Sequence, residues 1–600
     1  MTNTPESRST APESAIDLRK AGNRSAAMES AIGPRVAEKS AGSAPSAQKR
    51  PEGHGERPIR VTLAKHGSAV LDSAHLGDIE GALGKIRLTD TDHPRTFRTR
   101  LLTLLAIVGP GLIVMVGDND AGGVAIYAQA GQNYGYSLLW VLLLLIPVLI
   151  VNQEMVVRLG AVTGVGHARL INERFGRGWG WFSVGDLFVL NFLTIVTEFI
   201  GISLAAAYFG ISRYVVVPIA AVVLVVIMAT GSFRRWERAM FVFIAVTLLQ
   251  IPMLLLSHPD WGRAAKDFVV PGISGDVTSD AVLLIIAMVG TTVAPWQLFF
   301  QQSNIVDKRI TPRFIGYERA DTTLGAFVVV IGAAAILMTA DYAANATGTV
   351  GKYVDAGDIA HLLGDAHRAL GSIFAIVLLD ASIIGAAAVT LATSYAFGDV
   401  FGIKHSLHRG FRDAKQFYLS YTAMVIVAAV IVLIPGAPLG LITTAVQALA
   451  GLLLPSASVF LLLLCNDPQV LGPWVNRTWL NVVAGVIVGV LLLLSGILMA
   501  TTLFPDLDVV RTAEYLAVAL VALAAVTVAI LRYLQRRSPA PPPAPKVDEA
   551  EKNRWRMPPL TLLEPVTWSA GTKLGMLALR GYLVIGAILL VVKAIQLGRG

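Results

Sequence analysis

The sequence has little of what stabilises or equips a soluble enzyme. One of its 600 residues is cysteine, Cys465, so no disulfide can form within the chain and packing must hold the fold. No phosphate-binding glycine loop, nucleophile elbow or zinc-spacing motif is present, which argues against an enzyme and against a resident cofactor. No apolar core follows the first residues, so we expect no cleavable signal and insertion driven by the first true span.

Charge is also scarce, since charged residues make up 15% of the chain and hydrophobic residues 54%. Apolar runs of about 20 residues recur, each long enough to cross a bilayer as a helix. We therefore predict an all-α polytopic membrane protein with about 12 transmembrane helices, and a further, less regular one near 574–597. The predicted spans are 101–130, 136–157, 182–209, 212–231, 239–257, 279–303, 321–341, 369–398, 417–435, 437–465, 478–503 and 512–533.

The positive charges indicate orientation and not a nucleic-acid partner, although the net charge is +8. With a cytoplasmic N-terminus, about sixteen Lys and Arg residues fall in inner loops and about six in outer loops. We therefore predict a multi-pass protein of the plasma or inner membrane whose partners are the lipid bilayer and its transported ions. The sequence leaves the oligomeric state open.

Composition divides the chain into five segments. Residues 1–57 are rich in Ser, Ala, Pro and Glu without an apolar face, which predicts a disordered cytoplasmic tail. Residues 58–99 form a cytoplasmic pre-membrane segment, for which we predict one short helix against the inner face. The transporter domain follows at 100–535. A proline-rich cytoplasmic linker at 536–572 then leads to a C-terminal hydrophobic helix at 573–600.

Two acidic residues, Asp118 and Asp120, interrupt the first apolar segment within VGDNDAGGVA. A carboxylate inside a membrane costs about 2.5 to 3.5 kcal/mol on insertion scales, so such residues usually mark an ion or substrate path. Glycines at 117, 122 and 123 bracket the two acids. Because glycine is a weak helix former, we predict that this helix unwinds in the membrane and presents carboxylates and carbonyls.

The sixth apolar segment carries a second break signal. In AMVGTTVAPWQLFFQQ, Gly290 and Pro295 frame four residues, and proline removes a backbone donor and clashes with the preceding turn. The alternative is a simple kink in a packed helix. Broken first and sixth helices five spans apart are expected of an inverted repeat, so we predict a LeuT-type 5+5 inverted repeat with both breaks near the midplane.

The motifs resemble those of the NRAMP divalent-metal transporters. GPGLIVMVGDNDAGGVAIYAQAGQNYGYSLLW resembles the family's first helix, RLGAVTG (Arg158 to Gly164) its second and GTTVAPW (Gly290 to Trp296) its sixth. The resemblance spans roughly residues 100 to 500. It implies the LeuT-type fold and transport by alternating access.

Departures from the family's motifs bear on selectivity. The first-helix motif D-P-G-N reads Asp-Ala-Gly-Gly here from Asp120, so the asparagine ligand is replaced by Gly123. In the sixth helix, A-T-V-M-P-H becomes TTVAPW, with Ala294 in place of the methionine and Trp296 in place of the histidine. In the third helix only Glu198 of the D-x-x-E pair remains. The pattern is similar to the NRAMP-related magnesium transporters, which are considered not to couple to protons.

The resemblance implies a site for a hard, partly hydrated divalent ion. A thioether favours softer metals, so its absence removes a means of preferring Mn²⁺ over Mg²⁺. Mg²⁺ takes oxygen ligands in near-octahedral geometry and keeps several waters, which suits a site with small residues at 123 and 294. Asp120 is the predicted principal ligand, and Asp118 joins through water or adds negative potential. The predicted metal-site residues are Asp120, Asp118, Gly123, Thr291, Thr292, Ala294 and Gln447, the last because it precedes Pro455 as the family's tenth-helix glutamine precedes its proline.

Two further acids lie within predicted spans. Glu198 either relays protons or fixes the first helix by a hydrogen bond, and the loss of its companion residues favours the structural role. Asp380, in LLDASIIG, is either a second ion contact or a capped, water-bound acid, and the sequence does not decide between them.

Three functions remain open at this stage. The first is import of divalent cations, Mg²⁺ and also Mn²⁺, by alternating access without proton coupling. The second is a proton-coupled Mn²⁺ or Fe²⁺ transporter whose proton path uses Glu198, Asp118 or Asp380. The third is a transporter of another substrate on the same fold, or a non-transporting sensor. Two aspartates would repel an amino-acid carboxylate, and neither tail resembles a folded sensor domain.

Overall fold

The computed structural model describes residues 73–87, 96–436, 439–504, 507–537, 547–564, 566, 573, 575–582, 584–586 and 588. The predicted disordered tail and the proline-rich stretch 538–546 lie outside these residues, and the predicted final helix is described only in part, as a shorter apolar helix at Gly575–Gly586. Within the described residues the only β-structure is one hairpin, β1 (Ile79–Glu80) and β2 (Lys85–Ile86), and helices make up most of the rest.

Helices follow one another along the chain as the apolar runs predict. The first span consists of α1 (Phe97–Ile107), α2 (Pro110–Val116) and α3 (Ala121–Tyr134). Up to the sixth span the helices are α4 (Leu139–Thr163), α5 (His167–Phe175), α6 (Arg177–Tyr208), α7 (Arg213–Met228), α8 (Phe233–Thr247), α9 (Gln250–Leu256), α10 (Trp261–Val269), α11 (Ser279–Thr292) and α12 (Pro295–Asp307). The remaining helices are α13 (Ile315–Thr347), α14 (Ala356–Ala366), α15 (Arg368–Phe401), α16 (Lys415–Val432), α17 (Leu439–Cys465), α18 (Pro468–Leu471), α19 (Thr478–Leu503), α20 (Val509–Arg537) and α21 (Glu549–Arg554).

By length and composition, ten helices of the described chain can cross a membrane, or up to eleven if the bent pair α1 and α2 forms one span. The predicted count of about 12 is reached when α7, an apolar helix of 16 residues, is included. The all-α polytopic class is therefore confirmed.

Both predicted helix breaks are present. In the first span, α2 ends at Val116 and α3 begins at Ala121, so both aspartates lie in or beside the interruption. In the sixth, α11 ends at Thr292 and α12 begins at Pro295, which leaves only Val293 and Ala294 outside the helices. The break is shorter than the predicted Gly290 to Pro295 because Gly290 and both threonines stay helical, and proline is tolerated at the first helical position.

The first span has a second discontinuity that the sequence analysis did not predict. Helices α1 and α2 are bent by 52° at the junction before Pro110. Gly109 takes a φ of 154°, which other residues rarely adopt, and a Cβ there would collide with the carboxylate of Glu237. The bend is held from two sides, since Asp321 accepts from the N–H groups of Gly109 and Gly111, and Lys308 donates to the carbonyls of Ile107 and Val108.

The prediction of one short helix before the membrane is wrong. The described residues 73–87 form a 3₁₀ turn at Ser73–His75 and the β1–β2 hairpin, with Ile79 paired to Ile86. Glycines 81 and 84 close the turn, and a Cβ at either would collide with Ala106 of α1. Close backbone contact with α1 therefore favours a glycine hairpin over a helix. We call the end of the bundle where this hairpin packs the hairpin end.

The central helices pack closely because small residues face one another. A Cβ at Gly290 of α11 would lie 2.7 Å from the backbone nitrogen of Gly451 in α17. A Cβ at Gly131 of α3 would collide with the Leu337 carbonyl of α13. Small residues let helix backbones approach in membrane proteins, where dispersion replaces the hydrophobic drive. These contacts join α11 to α17 and α3 to α13.

Candidate metal site

Two carboxylates cap α3, the helix that starts at the first break. Asp120 is the N-cap residue of α3, and its Oδ1 accepts a hydrogen bond of 2.7 Å from the Gly123 N–H. Glu198 of α6 accepts one of 3.1 Å from the Ala121 N–H. The first N–H groups of a helix have no partner inside the helix and favour negative charge. The predicted hydrogen bond between Glu198 and the first helix is therefore present.

The carboxyl-bearing side chains of Asp120 and Glu198 lie against the same glycine of α15. Gly385 of α15 makes room for the pair, since a Cβ there would lie 2.7 Å from the carboxyl carbon of Glu198 and 2.8 Å from the Asp120 Cβ. The site thus contains a carboxyl pair held in place by three helices.

Asp118 lies inside the break and is held by an amide of the sixth span. Its Oδ1 accepts a hydrogen bond from Gln297 Nε2, and its Oδ2 is buried without a hydrogen-bond partner in the described protein. Gln297 also donates to the Thr292 carbonyl at 3.2 Å and accepts from Gln153 of α4 at 3.2 Å. The two broken helices are therefore joined directly at their breaks.

The predicted residues of the sixth break have different roles. The Thr291 hydroxyl is buried without a hydrogen-bond partner among the described residues. The Thr292 hydroxyl is engaged, because it donates to the Met288 carbonyl at 2.7 Å and bonds to the Tyr127 hydroxyl at 2.7 Å. Ala294 is the N-cap residue of α12, and its carbonyl accepts from the Gln297 N–H at 3.2 Å.

Gln447 of α17 lies against the first break. A Cβ on Gly122 would overlap the Gln447 side-chain amide, so that amide lies directly on the backbone of α3. Its Nε2 has no hydrogen-bond partner among the described residues. Gly123 contributes through its backbone, since its N–H binds Asp120 and a side chain there would press on the Asp118 carbonyl.

Asp380 is paired elsewhere. Its Oδ2 accepts a hydrogen bond of 3.0 Å from Thr247 at the end of α8, and the residue is 4% exposed. The Thr247 hydroxyl therefore caps one oxygen of this buried acid.

Sequence reasoning missed three polar residues of the site, namely Tyr127, Gln153 and Gln297. Tyr127 lies seven residues after Asp120, on the same face of α3, and Gln297 lies two residues after the proline that starts α12. The positions of Tyr127 and Gln297 relative to Asp120 and Pro295 were the signals in the sequence that could have identified them. Within the described chain, no group of three or more His, Cys, Asp or Glu side chains is placed to hold a metal, so amide, hydroxyl, carbonyl or water oxygens would have to complete a shell here.

A family model described as natural resistance-associated macrophage protein-like, Nramp, matches residues 111–501. The chain belongs to this family. Its members are membrane transporters, so the predictions of a transporter and not an enzyme are confirmed.

Relatives of the Nramp chain include two proteins named divalent metal cation transporter MntH. The one from Burkholderia ambifaria is 28% identical over 65% of this chain and 87% of its own length. The one from Levilactobacillus brevis is 27% identical over 67% of this chain and 90% of its own length. A crystal structure of the Eremococcus coleocola manganese transporter is 20% identical, covers 74% of this chain and 99% of that one, and superposes with a TM-score of 0.55. The likeness confirms the predicted LeuT-type fold.

We predict that Gly385→Ala destabilises this Nramp chain by about 1–3 kcal/mol, because the added methyl overpacks the Asp120 and Glu198 pair. Thermal unfolding of the purified protein measures the effect. Gly185→Ala on α6 is the matched control, since a Cβ at Gly185 meets nothing within 4 Å. Equal unfolding temperatures of the two variants would contradict the tight packing at Gly385.

Proposed function

We propose that this Nramp protein transports divalent metal cations by alternating access, with Mg²⁺ as its main substrate and Mn²⁺ as a second one. The observation that carries the proposal is the meeting of Asp118 and Asp120 with a sixth-helix break that contains Ala294 and no sulfur ligand. The names of the MntH relatives support transport of a divalent metal, and the chemistry of this site supports a hard ion.

Available oxygen atoms around the first break support a partly hydrated ion. Asp118 Oδ2 and Thr291 Oγ1 are buried acceptors with no hydrogen-bond partner in the described protein. The Asp120 carboxylate lies at the same break, at the start of α3. The Gln447 side-chain amide lies against Gly122, and a flip of 180° would exchange its nitrogen for its oxygen there. Oxygen ligands with retained water match the coordination of Mg²⁺.

We also propose that the hairpin end faces the cytoplasm and that the N-terminus lies on that side. Positively charged residues lie there, since Lys308 is next to Gly81 of the hairpin and Arg169 lines a cavity with Ser73 and His75. Their position agrees with the excess of positive charge that cytoplasmic loops carry.

The proposal predicts that Asp120→Asn abolishes Mg²⁺ and Mn²⁺ uptake into proteoliposomes, because it removes the charge of the principal ligand while keeping its shape. Asp118→Asn should weaken uptake less, since Gln297 already binds one of its oxygens. Glu173→Gln, in a cytoplasmic pair with Arg169 at 2.7 Å, is the control and should transport normally. Wild-type uptake confined to softer metals would exclude the magnesium assignment.

A second prediction concerns selectivity. Ala294→Met should raise the uptake of Mn²⁺ relative to Mg²⁺ several-fold, because a thioether favours borderline metals and contributes little to a hard ion. Ala294→Leu fills similar space without sulfur and is the matched control. Competitive uptake of the two ions measures the ratio. The same ratio in both variants would show that residue 294 acts through size alone.

A proton-coupled transporter is the second candidate, and the close packing of the Asp120 and Glu198 side chains at Gly385 favours it, because two neighbouring buried acids are suited to hold a proton. Under our proposal Glu198 fixes α3 through its hydrogen bond to Ala121 and exchanges no proton during transport, so metal uptake should leave the pH inside the vesicle unchanged. Glu198→Gln, which can still accept from Ala121, should keep most of the uptake. A pH-sensitive dye trapped in the vesicles tests this, and acidification that depends on both metal and Glu198 would establish proton coupling.

A further inference from the structure

A second cluster of charged residues lies between the first break and the hairpin end. Glu318 of α13 is completely buried, and both of its carboxylate oxygens lack a hydrogen-bond partner among the described residues. It interacts electrostatically with Asp321, Lys308 and Glu237. Lys308 and Glu237 are themselves completely buried and form an ion pair at 2.6 Å.

The charges of this cluster do not cancel. Glu237, Glu318 and Asp321 are three acids, and Lys308 is the one cation that faces them within the described chain. Glu237 is bound by Lys308 and by the Ala82 N–H, while Asp321 is bound by three backbone N–H groups at the start of α2. Glu318 is thus the acid whose charge the fold leaves uncompensated. Buried charges are normally paired or bound to a cation.

Amide groups on α12 add acceptors to the same cluster. Gln301 donates to the Thr322 hydroxyl at 2.9 Å, one helical turn after Glu318 on α13, and its own Oε1 is buried without a partner. Both amide atoms of Asn304 are also buried without a partner in the described protein. Buried polar atoms of this kind ordinarily bind water or an ion.

The amides connect the cluster to the first break. Gln297, which binds Asp118, is followed by Gln301, Asn304 and Lys308 at intervals of four, three and four residues, so all four lie on one face of α12. This face runs from the break towards the hairpin end. A polar stripe inside an apolar bundle lies where a hydrated ion would pass.

We propose that Glu318, with Gln301 and Asn304, forms a second, transient binding site for a partly hydrated divalent cation on the way to the cytoplasm. The inference rests on the proposed function for its direction of transport, but binding at Glu318 can be measured without transport. The site is built of oxygen ligands and is matched to Mg²⁺ and Mn²⁺. A cation there lies beside Lys308 and repels it, and Lys308 is one of the groups that hold the bend between α1 and α2.

Isothermal titration of the full-length protein in lipid nanodiscs, with MgCl₂ and with MnCl₂, tests the site. Asp120→Asn should remove one class of binding and leave a second. Adding Glu318→Gln to that variant should lower the remaining affinity at least tenfold, whereas adding Glu173→Gln should leave it unchanged. Gln301→Glu, combined with Asp120→Asn, should raise the affinity of the remaining class several-fold, because it adds a carboxylate. This variant tests the site if the Glu318 variant fails to fold.

The outcomes separate the two proposals. If Asp120→Asn alone removes all binding, or if Glu318→Gln leaves the remaining class intact, the second site is refuted while metal transport through the first break stands. If a Glu318-dependent class binds metal but reconstituted wild-type protein takes up neither ion, the second site stands and the proposed function is refuted.

Discussion

The structure depends on one constraint at the start of α3. This helix begins in the middle of the bundle, where no bulk water can bind its free N–H groups. In a membrane each unsatisfied backbone group costs several kcal/mol, so the start of α3 must be capped by side chains. Asp120 and Glu198 supply the caps at Gly123 and Ala121. Asp120 is also the principal ligand of the proposed metal site. Structure and ligand chemistry are therefore joined at these residues, and any ion that binds Asp120 acts directly on the end of α3.

The hairpin end repeats this arrangement at the start of α2. Asp321 accepts from the first N–H groups of α2, Lys308 binds the last carbonyls of α1, and the Ala82 N–H reaches Glu237 from the hairpin. The bend at Gly109 is thus stabilised by side chains from three other segments. Because α1 and α2 are held by charged contacts and not by apolar packing alone, a change of charge near Lys308 would alter their position more readily than a change of volume.

The sequence predicted the helices and both breaks, because glycine, proline and intramembrane acids carry strong local signals. It did not predict the bend at Gly109, since that bend depends on Glu237 and Lys308, distant in the chain. It predicted a helix where the hairpin lies, because packing of Gly81 and Gly84 on Ala106 is a tertiary contact. Gln297 and Tyr127 were missed for a related reason. Tyr127 of α3 contacts Thr292 of α11 and Gln297 of α12 contacts Asp118, and apolar periodicity does not predict such contacts between segments.

The way Asp118 is held bears on selectivity. One of its oxygens is bound by Gln297, which is fixed in turn by Gln153 of α4 and the Thr292 carbonyl. A carboxylate held in this way can offer one oxygen to an ion or to its water, but cannot close around the ion with both. A fully dehydrated ion gains most from many direct ligands, whereas Mg²⁺ sheds water reluctantly and gains from a few direct ligands and several well-placed acceptors. The restraint on Asp118, together with the small side chain of Ala294, therefore supports the proposal that the transported ion keeps part of its hydration shell.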